Sequence, residues 1–513
     1  MFSITTKLKS TYAQITLNRV TVAFFFFSFI HCFSQGILQS FLFSIDSQFA
    51  GLVRDIVHAA EIPPNNITFL EGSSHRYTLS MCNNIPHGQS LYPCTVIFQS
   101  GVDDVRTGSE IADFAASESD SVFQDFSQGF AITTYHDADG NASGVKFQSS
   151  TADPVLLSKQ CTQILVYPQQ VLENSVREDM TFIFLQFWLF GVSVFAVAQS
   201  SVPHLLTALG TRVLITTWST YITSFRGHNQ ETIFQQLVSA PGTPCGVELF
   251  PTFFGMRQAY DIADLVLSRF SSNPLYNAES FKHVGPPEHI NRIYKFFMAV
   301  QACLQMEVFV LVTATSLWVD VLANTAISKI SAHTTVYDAL IIATTVLVLP
   351  WIALGWYGVR REQKGLMISF LAIAFFFIAG WGIMFYSIVY RWSFVQWPYL
   401  GCFTVASFVL IIASIILGTI CWRNFGKGLA EYLNAEAALA DSNFAPEIFK
   451  HSDIEKSAAF YTYDEPDRPM PTFQAPPSQQ HSRNASMAND GTRVVGPLRG
   501  PPPAYDRATI VPF

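Results

Sequence analysis

Five apolar stretches, each long enough to cross a hydrocarbon core of about 30 Å, constrain this chain more than any other feature. They run approximately over Met180–Ala198, Phe296–Trp318, Ala339–Val359, Leu366–Val389 and Tyr399–Trp422. Lipid offers no water to backbone amides, so such segments must close their hydrogen bonds internally, as helices. Composition agrees: 13% of the 513 residues are charged, against roughly 25% in a soluble domain. The formal net charge of -8 is spread out, and no basic stripe points to nucleic acid.

The amino terminus has the pattern of a targeting segment. Lys7, Lys9 and Arg19 precede the apolar run Val20–Phe33, and Cys32 and Ser34 supply the small residues of a cleavage point. Residues 1–34 therefore read as a signal peptide or, if uncleaved, as a signal anchor. Residues 35–178 have ordinary polarity and read as a small β-rich extracellular domain. Its expected strands are Ile67–Leu70, Tyr77–Met81, Thr95–Phe98, Ala131–Tyr135, Val145–Phe147 and Gln163–Tyr167, separated by turn residues. Phe130–Ser149 reads as a hairpin turning at Asp139-Gly140. Asp137-x-Asp139-Gly140 also opens like a calcium loop but lacks the later ligands, so the turn accounts for it better. Asn66 and Asn141 head glycosylation sequons.

The cations set an orientation. Arg292 and Lys295, then Arg360, Arg361 and Lys364, then Arg423 and Lys427 all fall on one side if the amino-terminal domain is outside and the carboxyl terminus is cytosolic. Between Gln199 and Asn291 the number of spans is open. His204–Phe225 is apolar but carries Arg212, and Tyr260–Tyr276 is interrupted by Arg269, Asn273 and Pro274. Parity requires that both cross, giving seven spans, or neither, giving five. Cys245 favours seven, because it then joins Cys82, Cys94 and Cys161 as an even set in an oxidising compartment. The fold class is thus a membrane all-α bundle of five to seven helices (179–425), with the β-rich domain before it and a tail (426–513) after it.

Several runs have a familiar look: Lys282-His283-Val284-Gly285, Ile290-Asn291-Arg292-Ile293-Tyr294-Lys295, Ala379-Gly380-Trp381-Gly382, Arg391 to Trp397, and Phe425-Gly426-Lys427-Gly428-Leu429. Together they resemble a family of multi-pass membrane proteins from mushroom-forming fungi, over roughly residues 180–450. The resemblance implies seven spans behind a secreted amino-terminal domain and brings no activity or ligand. The chain departs from the family near Arg269–Tyr276, where the third span is shorter.

Ionisable groups inside spans are functional suspects because lipid penalises them. Glu307 lies twelve residues beyond Lys295, roughly 18 Å along a helix and near mid-bilayer. Gln301 and Gln305 share a face that Glu307 does not. They could serve a buried ligand, proton or ion. Equally, the glutamines could tie helices together while Glu307 is protonated or pairs with Arg212. Ser414-x-x-x-Gly418 and the Gly380/Gly382 pair read as close-packing faces. Trp392 and Trp397, with Tyr386, Tyr390 and Tyr399, read as an interfacial aromatic belt. No phosphate loop, zinc helix or nucleophile elbow appears, and the 12 His are scattered singly. Neither an enzyme, a metal nor a cofactor is expected.

The tail begins with a short amphipathic helix, Leu429–Leu439, and then collects ten of the chain's 26 Pro between Pro466 and Pro512. Such a segment cannot repay its ordering entropy and is expected to be disordered. Pro502, Pro503 and Tyr505 match the PPxY ligand of WW domains, or else belong to an inert Pro-rich end. If the motif is read, resemblance to other fungal membrane proteins implies a WW-domain ubiquitin ligase as partner. Arg483-x-x-Ser486 is a weak kinase signal. The sequence thus reads as an integral membrane protein of the secretory pathway, expected at the plasma membrane. Receptor or sensor is the leading expectation, with a carrier centred on Glu307 or a trafficking scaffold as alternatives.

Overall fold

The computed structural model describes residues 16, 19–73, 76–85, 94–100, 130–136, 142–149, 154–199, 201–240, 243–272, 288–330 and 334–441. Asn141, the Asp137–Gly140 turn, Lys282–Gly285, Arg483-x-x-Ser486 and the PPxY residues Pro502, Pro503 and Tyr505 lie outside them.

The chain opens with a 41-residue helix, α1 (Arg19–Ala59). At 1.5 Å per residue it is roughly 60 Å long, twice the thickness of a hydrocarbon core. Two three-stranded antiparallel sheets follow, β1 (Ile67–Ser73), β2 (Arg76–Cys82) and β3 (Cys94–Gln99), then β4 (Phe130–His136), β5 (Ala142–Ser149) and β6 (Val155–Ser158). Five of the six expected strands fall inside these elements. The sixth, Gln163–Tyr167, is helical. Ser158 caps a short helix, α2 (Lys159–Ile164), by accepting a bond from the Cys161 amide, and this starts the turn. The helix α3 (Val166–Ala198) follows almost directly.

The expected domain limits at 34/35 and 178/179 fall inside α1 and α3. The reason is packing: Phe49, Val53 and Ile56 of α1 share one buried core with Tyr77, Leu79, Phe98, Phe147 and Leu157 of the sheets. Cys82 and Cys94 are cross-strand neighbours and disulfide-bonded. Cys161 is bonded to Cys245, 84 residues away. Asn66 is half-buried, and its amide nitrogen, which a glycan would occupy, lies 3.2 Å from Met81 Sδ.

Beyond α3 come α4 (Val202–Tyr221), a π-helical turn (Ile222–Arg226), α5 (Gly227–Phe234), a second π turn (Gln235–Ser239) and α6 (Phe253–Ser272). Then follow α7 (Glu288–Asn324), α8 (Ile327–Ile330), α9 (Thr334–Arg360), α10 (Lys364–Tyr386), α11 (Ile388–Gln396), α12 (Pro398–Arg423) and α13 (Leu429–Asp441). Among the described residues, six helical stretches are long and apolar enough to cross a membrane. They are Thr21–Ala59, Lys159–Ala198, Ile290–Asn324, Ala339–Arg360, Lys364–Tyr386 and Pro398–Arg423. The last five correspond to the five spans expected from sequence, except that the expected Leu366–Val389 overruns its helix, which ends at Tyr386 and is broken at Ser387.

The helices alternate in direction. α1 lies antiparallel to α3, from Arg54–Glu173 at the sheet end to Phe25–Phe190 near the other. α4 returns along α3, with Phe195 against His204 at the far end and Arg226 on Glu178 at the sheet end. The third span expected at Tyr260–Tyr276 begins seven residues earlier, at Phe253, and α6 is described to Ser272.

Small residues are needed at particular contacts. A Cβ on Gly355 would meet the Phe370 ring at 2.6 Å, and one on Gly418 would meet Met367 Cε at 2.6 Å. Gly380 and Gly382, expected as packing faces, have nothing within 4 Å of an added Cβ. Phe370 is fully buried and stacked on Trp351, so its ring cannot give way. Gly355→Ala should therefore lower stability by about 1–3 kcal/mol, whereas Gly380→Ala should leave it unchanged. Thermal unfolding of the two variants in detergent checks this.

Candidate functional site

Two polar stripes meet in the bundle. On α6, Arg257, Asp261, Asp264 and Ser268 recur at intervals of four, three and four residues, which puts them on one face. On α1, Gln35, Gln39 and Asp46 form the matching face. Arg257 is ion-paired with Asp46 and lies 3.7 Å from Asp261. One turn further in, Gln39 Nε2 donates to Asp264 Oδ1 at 2.7 Å, and Ser219 Oγ of α4 donates to Asp264 Oδ2 at 2.8 Å. Deeper still, Gln35 Nε2 reaches the Asp264 carbonyl and Ser268 Oγ at 3.1 and 3.0 Å.

A second pair adjoins the first. Arg226, in the π turn after α4, donates to both oxygens of Glu178 at 2.8 and 2.7 Å. Glu178 also accepts the indole N–H of Trp397 at 2.7 Å, which ties α3 to the start of α12. Asp179, next along α3, is 4% exposed, and its Oδ2 has no hydrogen-bond partner. Beside these groups lies a small cavity of about 20 Å³, room for little more than a water molecule, lined by Gln39, Asp179, Ser219, Thr223, Arg257 and Asp264 among others. Asp46 lies 22 residues beyond Phe24, which packs near the opposite end of the bundle. That is about 33 Å along the helix, with Gln39 at about 22 Å. The cluster thus occupies the end of the bundle next to the sheets.

Five carboxyl groups here, Asp46, Glu178, Asp179, Asp261 and Asp264, face two guanidiniums, Arg226 and Arg257. Burial charges a high free energy for net charge, so the excess calls for a proton or another cation.

The polar residues expected to matter serve different neighbours. Glu307 is fully buried and accepts a bond from Ser414 Oγ of α12 at 3.2 Å. Gln305 bonds His204 at 3.2 Å and Thr207 at 3.0 Å, both on α4. Gln301 is buried with its amide nitrogen unpartnered. Arg212 is buried on α4, and its field reaches His31 and Cys32 of α1. The four do not converge on one site. Of the aromatic residues expected as an interfacial belt, Tyr386 is 90% exposed but Tyr390, Trp397 and Tyr399 are buried. Tyr390 stacks on Trp318 at 4.1 Å and Trp392 meets Phe69 of β1 at 4.9 Å, so this turn is core rather than rim. Among the described residues no group of three His, Cys, Asp or Glu is placed to hold a metal ion.

The fold defines a multi-span membrane protein. Its sequence is distantly similar to a UPF0658 Golgi apparatus membrane protein of Schizosaccharomyces pombe, with 26% identity over 167 residues. The match covers 31% of this chain and 44% of the yeast protein, so the chain spans less than half the length of that curated relative. No family model matches the sequence, and no solved structure does.

Removing one member of a buried pair strands the other. Glu178→Ala leaves the Arg226 guanidinium and the Trp397 indole without their acceptor and should cost about 3–5 kcal/mol. The Arg54–Glu173 pair, with Arg54 58% exposed, is a contrast, and Arg54→Ala should change stability by under about 1 kcal/mol. Comparative unfolding in detergent reads both.

Proposed function

We propose that this protein is a carrier of the secretory pathway, coupled to protons or another cation at the cluster on α1, α3, α4 and α6. The observation that carries the reading is the buried excess of carboxyl groups around a cavity, with an unpartnered Asp179 oxygen lining it. Convergent charges and interrupted helices are the marks of ion-coupled carriers. The interruption here is the π turn Ile222–Arg226, which contributes Ile222 and Thr223 to the cavity wall and Arg226 to Glu178. π turns recur at functional sites. This replaces Glu307 as the centre of the carrier reading and ranks that reading above a receptor or scaffold.

The compartment follows the relative, which is named as a Golgi apparatus membrane protein. The orientation we propose puts the sheets and both disulfides in the lumen and the clusters Arg292/Lys295, Arg360/Arg361/Lys364 and Arg423/Lys427 in the cytosol. The Cys161–Cys245 bond supports an even number of crossings between those residues, so α4 and α6 cross as well. With α1 retained as an uncleaved anchor, the count is eight. Retention is supported by Phe24, Ser28, His31 and Cys32, which pack into the bundle upstream of the expected cleavage point. The cytosolic PPxY of Pro502, Pro503 and Tyr505 would then present a degradation signal to a WW-domain ligase.

Three measurements test this. A glycosylation tag between Arg226 and Met256 should be modified, and a carboxyl-terminal tag should not. An amino-terminal epitope should remain on the full-length protein, and its loss by processing near residue 34 would refute the eight-span count. In vesicles on a solid-supported membrane, a pH or Na⁺ jump should displace charge in the wild-type protein, and Asp179→Asn should abolish the signal. Inserted wild-type protein that behaves like empty vesicles under every jump would refute the carrier reading.

A further inference from the structure

Asp46 and Asp179 differ from the other carboxyl groups of the cluster. Asp46 Oδ2 is taken by Arg257, but its Oδ1 is buried and has no partner. Asp179 Oδ2 is likewise buried without a partner. The two residues are 0% and 4% exposed, and their carboxyl groups lie within hydrogen-bonding reach of each other. Two ionised carboxylates have only acceptors and repel. With one proton between them, one side chain donates an O–H to the facing oxygen, and both orphan atoms are satisfied at once.

The remaining acids of the cluster are already engaged. Glu178 is held by Arg226 and Trp397, Asp264 by Gln39 and Ser219, and Asp261 lies beside Arg257. A hard divalent cation wants six or more oxygen ligands, and these oxygens are not free to supply them. A proton needs two.

We infer that Asp46 and Asp179 share a single exchangeable proton, which makes the α1–α3 contact at the outer end of the bundle the proton-binding element of the site. This deepens the carrier reading by naming its ion, yet the pair exists whether or not the protein moves a substrate. The charged groups facing it are Glu178 on α3, Arg257 and Asp261 on α6, and, through Asp261, Arg226 and Asp264. Tyr399 of α12 closes the side beyond Glu178 and Asp179. When the proton leaves, Arg257 alone must offset two adjacent carboxylates and Asp261. The pair then repels, and α1 is pushed from α3 at the level of the cavity. Uptake and release of one proton from the outer side thus opens or closes that contact.

The test uses full-length protein in nanodiscs, with Glu307→Gln as background so that this other buried acid does not contribute. Infrared spectra at neutral pH should show a protonated-carboxyl band that shifts in deuterium oxide. Asp179→Asn and Asp46→Asn should each remove it, and Asp179→Glu should move it without loss. A band that survives both asparagine variants overturns the proposal, as does the absence of any band in the background protein. Stability provides a second readout that needs no variant at the pair. A proton held in the folded state and released on unfolding makes stability fall as pH rises through the point where the pair deprotonates. The melting temperature should follow pH and ignore Na⁺ or Ca²⁺ at fixed ionic strength. A melting temperature that instead rises with Na⁺ or Ca²⁺ at constant pH would assign the site to a metal cation and overturn the shared proton. The carrier reading fails on a different signal, the absence of charge displacement, so the two can fail separately.

Discussion

The ion pair between Arg257 and Asp46 sets the register of the bundle. Neither charge can be left alone in a buried helical interface, so α1 and α6 are held where these two meet. The same offset then brings Gln39 to Asp264 and Gln35 to Ser268, so one pairing propagates down about three turns of helix. A slide of one residue would break every bond in the ladder and strand its donors and acceptors. With α1 fixed, its upper third supplies Phe49, Val53 and Ile56 to the core beneath the sheets, and the sheets are carried by the helix rather than by a separate domain. The Cys161–Cys245 bond closes the same end, joining the start of the α3 region to the chain that leads into α6.

Much of this was legible in the sequence, and what was not has physical reasons. The five long apolar segments announce themselves because lipid leaves them one option. Strands whose faces alternate were also readable, and cysteine parity pointed to the even set that the two disulfides form. Gln163–Tyr167 misled because five residues carry too little periodicity to separate strand from helix, and the Ser158 cap decided it. The ladder was hidden by two reasonable steps. Reading residues 1–34 as a targeting segment divides α1 just before Gln35, which assigns Gln35, Gln39 and Asp46 to a polar domain. Reading Tyr260–Tyr276 as a span interrupted by Arg269, Asn273 and Pro274 leaves Arg257 outside it and passes over its other polar residues. Arg257, Asp261, Asp264 and Ser268 are instead a helical stripe, and that spacing was the available signal.

Residue type also proved a weaker guide than packing. Of the two expected close-packing faces, Gly418 is one that neighbouring side chains require, yet space is open around Gly380 and Gly382, and Gly355, which carried no such signal, is required as well. Tyr390, Trp397 and Tyr399 have the composition of a membrane rim, but each is needed inside. One stacks on Trp318, one donates to Glu178, and one lies against Phe182 and Phe403. An aromatic with a polar tip suits a rim and a buried hydrogen bond equally. Sequence alone cannot choose between them, because the choice depends on whether an acceptor such as Glu178 arrives from another helix.

Glu307 and the cluster at the sheet end differ in what surrounds them. Glu307 is a single carboxyl whose Oε1 accepts from Ser414 on a neighbouring helix and whose Oε2 has no partner, with no second acid or guanidinium bonded to it. The cluster differs because its carboxyl groups outnumber its guanidiniums and its members sit on four helices. Any proton or cation that enters must change the force between those helices, since the same groups hold the ion and the register. Arg226 extends that force into the π turn, where the looser i→i+5 pattern already departs from the α-helical ladder. A charge gained or lost at Asp46 and Asp179 is therefore felt at the segment of the bundle least committed to regular geometry, which is where a two-state element would have to lie.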